Sequence, residues 1–363
     1  MNTTVPRIRY REIFIVAILL ILATHNFFFE TYREMIFNIT LHDHYDKYAH
    51  LFIGNVELGA RPSATHAYRF LSVLIALPLY YIIPFFTFSG VETLNLHEDS
   101  LRMLMAFALM TYLSVMGSCM TAFMIARKRF SAPLPASLLV MLLMYIMLKH
   151  LGSGLHGVDA IGVFLLSLAI YFMHNKLLYS LLIISGVFVN EKIAMIFFML
   201  MTWRWLIYSP RKIDAYIIAP TIAILMYAAA NVLGPMYFQF TDGNADHRDV
   251  TNFLAQFLET FLTNLSLKGF ILNVLPFSLL AGMFVLASKA TKFIDTGIYF
   301  KKSDFIALLG IVIIIHLINV DYNAGRLAMF VLPLYLPLAV LTLYQLAVKY
   351  DDSTHNRTLP PKT

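Results

Sequence analysis

Charged residues are scarce in this chain of 363 residues: Asp, Glu, Lys and Arg make up 13%, whereas 59% of residues are hydrophobic. Because the mean hydropathy is +0.71, the composition excludes a soluble globular domain and predicts a polytopic, all-α integral membrane protein. Cysteine is almost absent, since Cys119 alone occurs, within an apolar run. A disulfide framework is therefore excluded, and a packing role is favoured for that side chain.

Internal repeats and low-complexity tracts are also missing, so we predict a single membrane domain over 1–349 and a polar cytoplasmic tail over 350–363. The net charge is +6, but the cations form short clusters between apolar runs, as membrane orientation signals do. No nucleic-acid partner is predicted. The basic lead and apolar run of "MNTTVPRIRYREIFIVAILL" lack a small-residue cleavage site, which predicts a retained first span.

Apolar runs near the roughly 17–25 residues that a membrane helix needs recur along the chain. The eleven candidates are 13–28, 68–87, 101–126, 134–149, 157–173, 177–189, 193–208, 213–231, 269–288, 305–320 and 327–348. Basic clusters favour the cytoplasmic side, so an even number of crossings must separate any two of them. Three runs separate Arg11 from Arg127, and one of these runs must therefore not cross.

The run 68–87, within "AYRFLSVLIALPLYYIIPFFTF", carries Pro78 and Pro84, and proline inside a helix removes a hydrogen bond and kinks the chain. We predict that this run is re-entrant or juxtamembrane on the outer face. About ten crossings then remain, with both termini cytoplasmic and with outer segments at 29–100 and 232–268. The alternative keeps 68–87 as a span and merges 177–208 into one crossing.

Ionisable residues at membrane depth usually line a cavity or pair with each other, and here they collect at the outer ends of the predicted spans. Asp43 and Asp46 lie three residues apart in the first outer segment, where short interfacial helices are predicted. On a helix they would share a face. The alternative is a solvated loop with capping aspartates.

The second outer segment places His150, His156 and Asp159 beside glycines, just before a span begins. Asp159 could be a helix cap. With His156 it could instead bind a divalent cation, either Mg²⁺ or Mn²⁺ through carboxylate oxygen or zinc through imidazole, although the spacing matches no metal motif.

Two short apolar runs flank Asn190-Glu191-Lys192, which predicts that this triplet lies below the outer surface, with Lys192 able to meet an anion. A Glu-Lys pair that neutralises itself is the alternative. Asp321 and Arg326 stand at the mouth of the last span, where Arg could bind phosphate through its planar fork or only snorkel to the interface.

Further arginines on the same predicted outer face run against the positive-inside trend and favour an anionic ligand there. They are Arg61, Arg69 and Arg102.

The order of these parts resembles the polytopic glycosyltransferases of the GT-C fold. The stretches that carry the resemblance are "HDHYDKYAHLFIGN", "EDSLRMLMAFAL", "GLHGVDAIGVFLLSLAIYF", "LLIISGVFVNEKIAMIFFML" and "GRLAMFVLPLYLPLA". Together they cover most of the chain, but each is a loose motif. The resemblance implies transfer of a sugar from a polyprenyl-phosphate carrier to a glycan, lipid or protein acceptor, on the outer face of a bacterial inner membrane.

The resemblance also implies roles for the acidic residues. The catalytic base that deprotonates the acceptor falls on Asp43 or Asp46, and the acid that helps to hold metal or acceptor falls on Asp159. The Asp-Glu pair of many relatives is absent, because His44 follows Asp43. The choice between the two aspartates therefore stays open.

The resemblance implies that Lys192 and Arg326 bind the lipid phosphate, assisted by Arg69 or Arg102. Glu191 and Asp321 adjoin these cations and complete the predicted substrate-binding set.

Two other functions compete with this one. A polysaccharide polymerase or ligase would use the loop 232–268, with Asp242, Asp246, His247, Arg248 and Asp249. A transporter or flippase of a lipid-linked sugar should show internal symmetry and midplane charges, and the sequence shows neither.

Overall fold

A computed structural model describes residues 10–37, 45–59, 69–84, 86–87, 96–150, 158–208, 213–237, 275–290, 299–318 and 329–358, besides residues 262, 266–267 and 297. All regular structure within these residues is helical. The helices are α1 (Tyr10–Phe37), α2 (Tyr45–Phe52), α3 (Phe70–Ile82), α4 (Glu98–Met124), α5 (Leu134–His150), α6 (Val158–Tyr171), α7 (Lys176–Gly186), α8 (Glu191–Ile207), α9 (Ala215–Tyr237), α10 (Leu275–Ala290), α11 (Asp304–Ile318) and α12 (Leu332–Thr358). A π-helical turn, Ile125–Arg129, extends α4, and a 3₁₀ turn, Met329–Val331, precedes α12.

Three helical segments in the described part of the chain are long and apolar enough to cross a membrane: Tyr10–Phe37, Glu98–Arg129 and Met329–Lys349. Several shorter apolar helices accompany them. Each of the eleven predicted apolar runs overlaps one described helix, and α2 lies in the segment where interfacial helices were expected. The prediction of an all-α chain with membrane-type helices is therefore confirmed at this level. The number of crossings stays a prediction.

The interior is built around α4, which packs against α1, α3, α5 and α6. In the most apolar 18-residue stretch of Glu98–Arg129, 78% of the residues are buried, compared with 17% in the corresponding stretch of α1. α1 accordingly exposes a stripe of large apolar side chains, including Phe14, Ile18 and Leu22, at helical spacing. α4 is thus central, and α1 is a peripheral helix suited to contact lipid.

Three ion pairs lie at one end of the bundle, which we call the Arg204 end. The pairs are Glu12–Arg127 at 3.0 Å, Lys176–Asp214 at 3.4 Å and Arg204–Asp304 at 2.6 Å. They join the start of α1 to the π turn after α4, the start of α7 to the start of α9, and the end of α8 to the start of α11. The described cations of this end include Arg127, Lys128, Arg129, Lys176, Arg204 and Lys301.

We call the opposite end the Lys192 end. Its contacts are Lys149–Glu30 at 2.8 Å, Tyr32 hydroxyl to the Leu101 carbonyl at 3.3 Å, and Asn190 to Asp159 at 2.8 Å. They join the last part of α1 to the end of α5 and to the start of α4, and they join the start of α6 to the residue that precedes α8. Because α1 pairs through Glu12 at one end and through Glu30 at the other, it runs the full length of the bundle.

Helix α3 touches the Lys192 end with both of its ends. Arg69, just before α3, pairs with Glu191 at the start of α8, and the Tyr80 hydroxyl donates to Asp99 Oδ1 at the start of α4, at 3.0 Å. With 13 residues, α3 is only ~20 Å long. The chain therefore leaves α1 and enters α4 at the same end, with α3 lying between them.

Candidate functional site

The starts of α6 and α8 meet at the Lys192 end through one amide side chain. Asn190 has an extended backbone and caps α8, since its Oδ1 accepts from the Lys192 backbone N–H at 3.1 Å. Its Nδ2 donates to Asp159 Oδ1 at 2.8 Å. Asn190 therefore caps α8 and orients the Asp159 carboxylate on α6.

Asp159 in turn lies beside the Lys192 ammonium. The distance from Lys192 Nζ to Asp159 Oδ1 is 3.9 Å, which is an ion pair but longer than a hydrogen bond. The Asp159 side chain is 2% exposed and the Lys192 side chain 13% exposed. The Asp159 carboxylate is therefore buried, whereas the Lys192 side chain that pairs with it remains partly accessible.

The apolar surroundings of Lys192 come from the turn before α12. Lys192 Nζ lies 5.4 Å from the centre of the Phe330 ring, within range of a cation–π interaction. Gly162 on α6 lets that ring approach, because a Cβ at this position would lie 2.8 Å from the ring and 3.2 Å from Asn190 Cβ. A side chain at Gly162 would therefore displace Phe330, Asn190 or both.

The short length of α7 explains why Asn190 is buried and why Glu191 and Lys192 are only partly exposed. α7 has 11 residues, ~16 Å of helix, and the following turn returns the chain to α8. In that turn Val187, Val189 and Asn190 are fully buried. Lys192 therefore sits close to the protein interior and not on an outer loop.

A second ion pair lies next to the first. Arg69 Nη2 donates to both carboxylate oxygens of Glu191, at 3.1 and 3.0 Å, and the two side chains are 10% and 14% exposed. Because Glu191 and Lys192 are neighbours, the two ion pairs share the first turn of α8. Lys192, Arg69 and Glu191, which were predicted as one substrate-binding set, thus lie together with Asp159, which was predicted as a catalytic or metal-binding acid.

Other predicted site residues fall elsewhere. Arg102 lies on the first turn of α4, 3.4 Å from Glu98 and with its guanidinium 5.9 Å from the Tyr80 ring centre. Asp46 belongs to α2, which packs against α3 and α4. The predicted residues Asp43, His156, Asp321 and Arg326 lie outside the described residues, as do the loop residues 242–249 of the polymerase or ligase hypothesis.

The described residues show only part of the metal site that was predicted at His156 and Asp159, because His156 lies outside them. Among them no group of three or more His, Cys, Asp and Glu side chains could hold a metal ion. Asp159 Oδ1 already accepts from Asn190 and faces the Lys192 ammonium, which would repel a second cation. The metal site suggested by His156 and Asp159 therefore stays a prediction.

Sequence reasoning did not single out Asn190 as the link between α6 and α8, nor Phe330 and Gly162. The Asn before Glu191 is readable as a helix cap, but nothing in the sequence indicates its contact with Asp159 across 31 positions. Comparison with family models, with curated proteins and with solved structures finds no match for this chain.

Proposed function

We propose that this protein is a membrane glycosyltransferase of the GT-C type, which moves a sugar from a polyprenyl-phosphate carrier to an acceptor at the Lys192 end. The observation that supports this proposal is the network in which buried Asn190 and Asp159 hold a partly accessible Lys192. An ammonium fixed in this way beside apolar side chains can bind the phosphate of a lipid carrier. The acceptor is a glycan, a lipid or a protein.

In this proposal Lys192 stabilises the negative charge that grows on the carrier phosphate as the glycosyl bond breaks. The sugar passes through an oxocarbenium-like state while its bond to the carrier phosphate breaks and the acceptor oxygen bonds to the anomeric carbon. Asp43 or Asp46 takes the acceptor proton. Arg326 is proposed as a second phosphate contact, and no step is assigned to a metal ion.

The charge distribution supports one orientation in the membrane. The Arg204 end carries the basic residues Arg127, Lys128 and Arg129 after α4 and Lys176 before α7. By the positive-inside rule this end faces the cytoplasm, so the Lys192 end faces outward. We therefore propose about ten crossings in a bacterial inner membrane, with both termini cytoplasmic and the active site on the outer face.

Cysteine labelling tests this topology. In a Cys119→Ala background, we expect Glu57→Cys and Glu98→Cys, which flank α3 on either side, both to react with an impermeant thiol reagent added from outside. Both glutamates are exposed. Lys128→Cys, at the Arg204 end, should react only after permeabilisation. Labelling of positions 57 and 98 from opposite sides would show that α3 crosses the membrane and would reject the proposed topology.

Loss of the Lys192 ammonium should weaken carrier binding. In Lys192→Ala we expect the affinity for polyprenyl phosphate to fall roughly 10- to 150-fold, because a charged hydrogen bond contributes about 1.5–3 kcal/mol. The measurement is a dissociation constant for polyprenyl phosphate in detergent or nanodiscs. Lys176→Ala is the matched control, since that lysine is exposed at the opposite end.

Transfer itself is measured in liposomes with a radiolabelled polyprenyl-phosphate sugar and a mixture of membrane acceptors. Wild-type protein that binds no polyprenyl phosphate would overturn the proposed function. Equal affinity in Lys192→Ala and wild type would overturn the role of Lys192 alone.

A further inference from the structure

Helix α3 is tied to its neighbours at both ends. At its start Arg69 pairs with Glu191, the Leu71 N–H donates to the Phe188 carbonyl at 3.2 Å, and the Phe70 and Phe188 rings lie 5.2 Å apart. Ser72 Oγ donates to the Arg69 carbonyl at 2.6 Å, which fixes the backbone that carries the arginine. The contacts with Phe188 and Glu191 hold the start of α3 against the turn that leads into α8.

We propose that Arg69 and Glu191 form a positioning pair for the site, in which Arg69 holds α3 against the first turn of α8 and does not bind the carrier phosphate. This inference rests on the proposed function for its effect on catalysis. The pairing fixes Glu191, and with it the backbone that presents Lys192. Arg69 thereby acts on the reaction through Lys192.

The geometry of the two ion pairs separates their roles. Arg69 donates to both oxygens of Glu191 at hydrogen-bond distance. Both of these hydrogen bonds come from Arg69 Nη2, so recruiting that nitrogen to a phosphate would take both from a carboxylate that is only 14% exposed, and breaking a buried pair is strongly destabilising. Lys192 stands 3.9 Å from Asp159, so a phosphate oxygen can accept from it without breaking a hydrogen bond of that pair.

The anchor at the other end of α3 explains why removing the charge of Arg69 should change the position of Lys192. The Tyr80 hydroxyl holds the far end of α3 to Asp99 on α4. With Arg69 neutralised, α3 would keep that anchor and lose the ion pair at the site end. A small shift of the first turn of α8 would then move Lys192 out of line with the carrier phosphate, and misplacement by about 1 Å can cost roughly 100-fold in rate.

Charge exchange tests the pair. We expect Arg69→Gln and Glu191→Gln each to lower the turnover of sugar transfer roughly 10- to 100-fold, with a smaller change in KM for the carrier. The double exchange Arg69→Glu with Glu191→Arg should recover most of that loss, because it restores the pair with its charges reversed. Arg69→Lys, which keeps the charge, should be the mildest single variant and covers the case in which Arg69→Gln does not fold.

A crosslink gives a second readout that needs no sugar transfer. In a Cys119→Ala background, a crosslink between Leu71→Cys and Phe188→Cys should form with a short bifunctional thiol reagent, since the two backbones are joined by a hydrogen bond of 3.2 Å. We expect its yield to fall with Arg69→Gln and to return with the charge exchange. Glu30→Gln, which alters an ion pair at the same end but away from α3, should leave the yield unchanged.

The outcomes distinguish the two proposals. A lower carrier affinity in Arg69→Gln that the charge exchange fails to restore would show that Arg69 binds the phosphate, and would overturn the positioning role. An unchanged crosslink in Arg69→Gln would overturn it as well. A crosslink that follows the pair in a protein that binds no carrier would support the pairing and reject the proposed function.

Discussion

Turnover of sugar transfer should fall by roughly two to four decades when the carboxylate that acts as general base becomes an amide. The expected variant is Asp43→Asn or Asp46→Asn. Asparagine keeps the size of the side chain but cannot accept the acceptor proton at neutral pH, so the chemical step should slow while the carrier still binds. The measurements are the transfer rate under single-turnover conditions and the dissociation constant of the carrier.

We expect Asp43 to be the stronger of the two sites, because it lies farther from Lys47 and matches the position relative to Tyr48 and Ala49 that the resemblance to GT-C enzymes implies. Asp46 is the second residue of α2, and Lys47 beside it is exposed.

Glu57→Gln is the matched control, because it removes one carboxylate from an exposed position of the predicted outer segment 29–100. It should leave the transfer rate unchanged. A wild-type rate in the double variant Asp43→Asn with Asp46→Asn would place the base elsewhere. Asp159 and the loop 232–268 would then be tested next, and the polymerase or ligase hypothesis would become the leading one.

Most of the helices were predictable because an apolar run of helix length has few alternatives in a membrane protein. The run 134–149 corresponds closely to α5, which spans Leu134–His150. The run 13–28 was too short, since α1 continues to Phe37. Apolar residues mark only the part of a helix that contacts lipid or core. The last turns of α1, with Glu30 and Glu34, are polar but continue the same backbone hydrogen bonds, so the apolar run ended before the helix did.

The site was only partly predictable, because its contacts join distant parts of the chain. Lys192 and Asp159 were both singled out, but as a phosphate contact and a metal or acceptor contact, and not as partners 3.9 Å apart. Arg69 and Glu191 are 122 positions apart. Residue type shows that a charge at membrane depth needs a partner, yet it does not show which of several partners the packing will supply.

Arg204 illustrates the same limit at the other end of the bundle. A cation at this end of the bundle is expected from the positive-inside rule to be an exposed orientation signal. The structure instead buries it against Asp304, with side chains that are 9% and 0% exposed. Arg204 Nη2 lies 2.6 Å from Asp304 Oδ2 and also donates to the Tyr299 carbonyl at 2.9 Å. The pair therefore joins the end of α8 to the start of α11.

Breaking this pair should destabilise the protein by about 3–5 kcal/mol, because removal of one partner leaves an uncompensated buried charge. The expected result is a loss of that size in the free energy of unfolding in detergent for Arg204→Met and for Asp304→Asn. Lys176→Met is the matched control, since it removes a cation from an exposed pair at the same end. It should cost no more than about 1 kcal/mol.

The double variant Arg204→Met with Asp304→Leu separates an uncompensated charge from a general loss of packing. With both charges removed, much of the stability should return, because apolar side chains can replace a buried ion pair at little cost. Recovery should remain incomplete, since Asp304 Oδ2 also accepts from the Lys301 backbone N–H at 2.7 Å and leucine cannot. Equal stability of wild type and Arg204→Met would show that the pair contributes nothing to holding α11 against α8. A double variant less stable than either single variant would show that packing, and not charge, dominates at this contact.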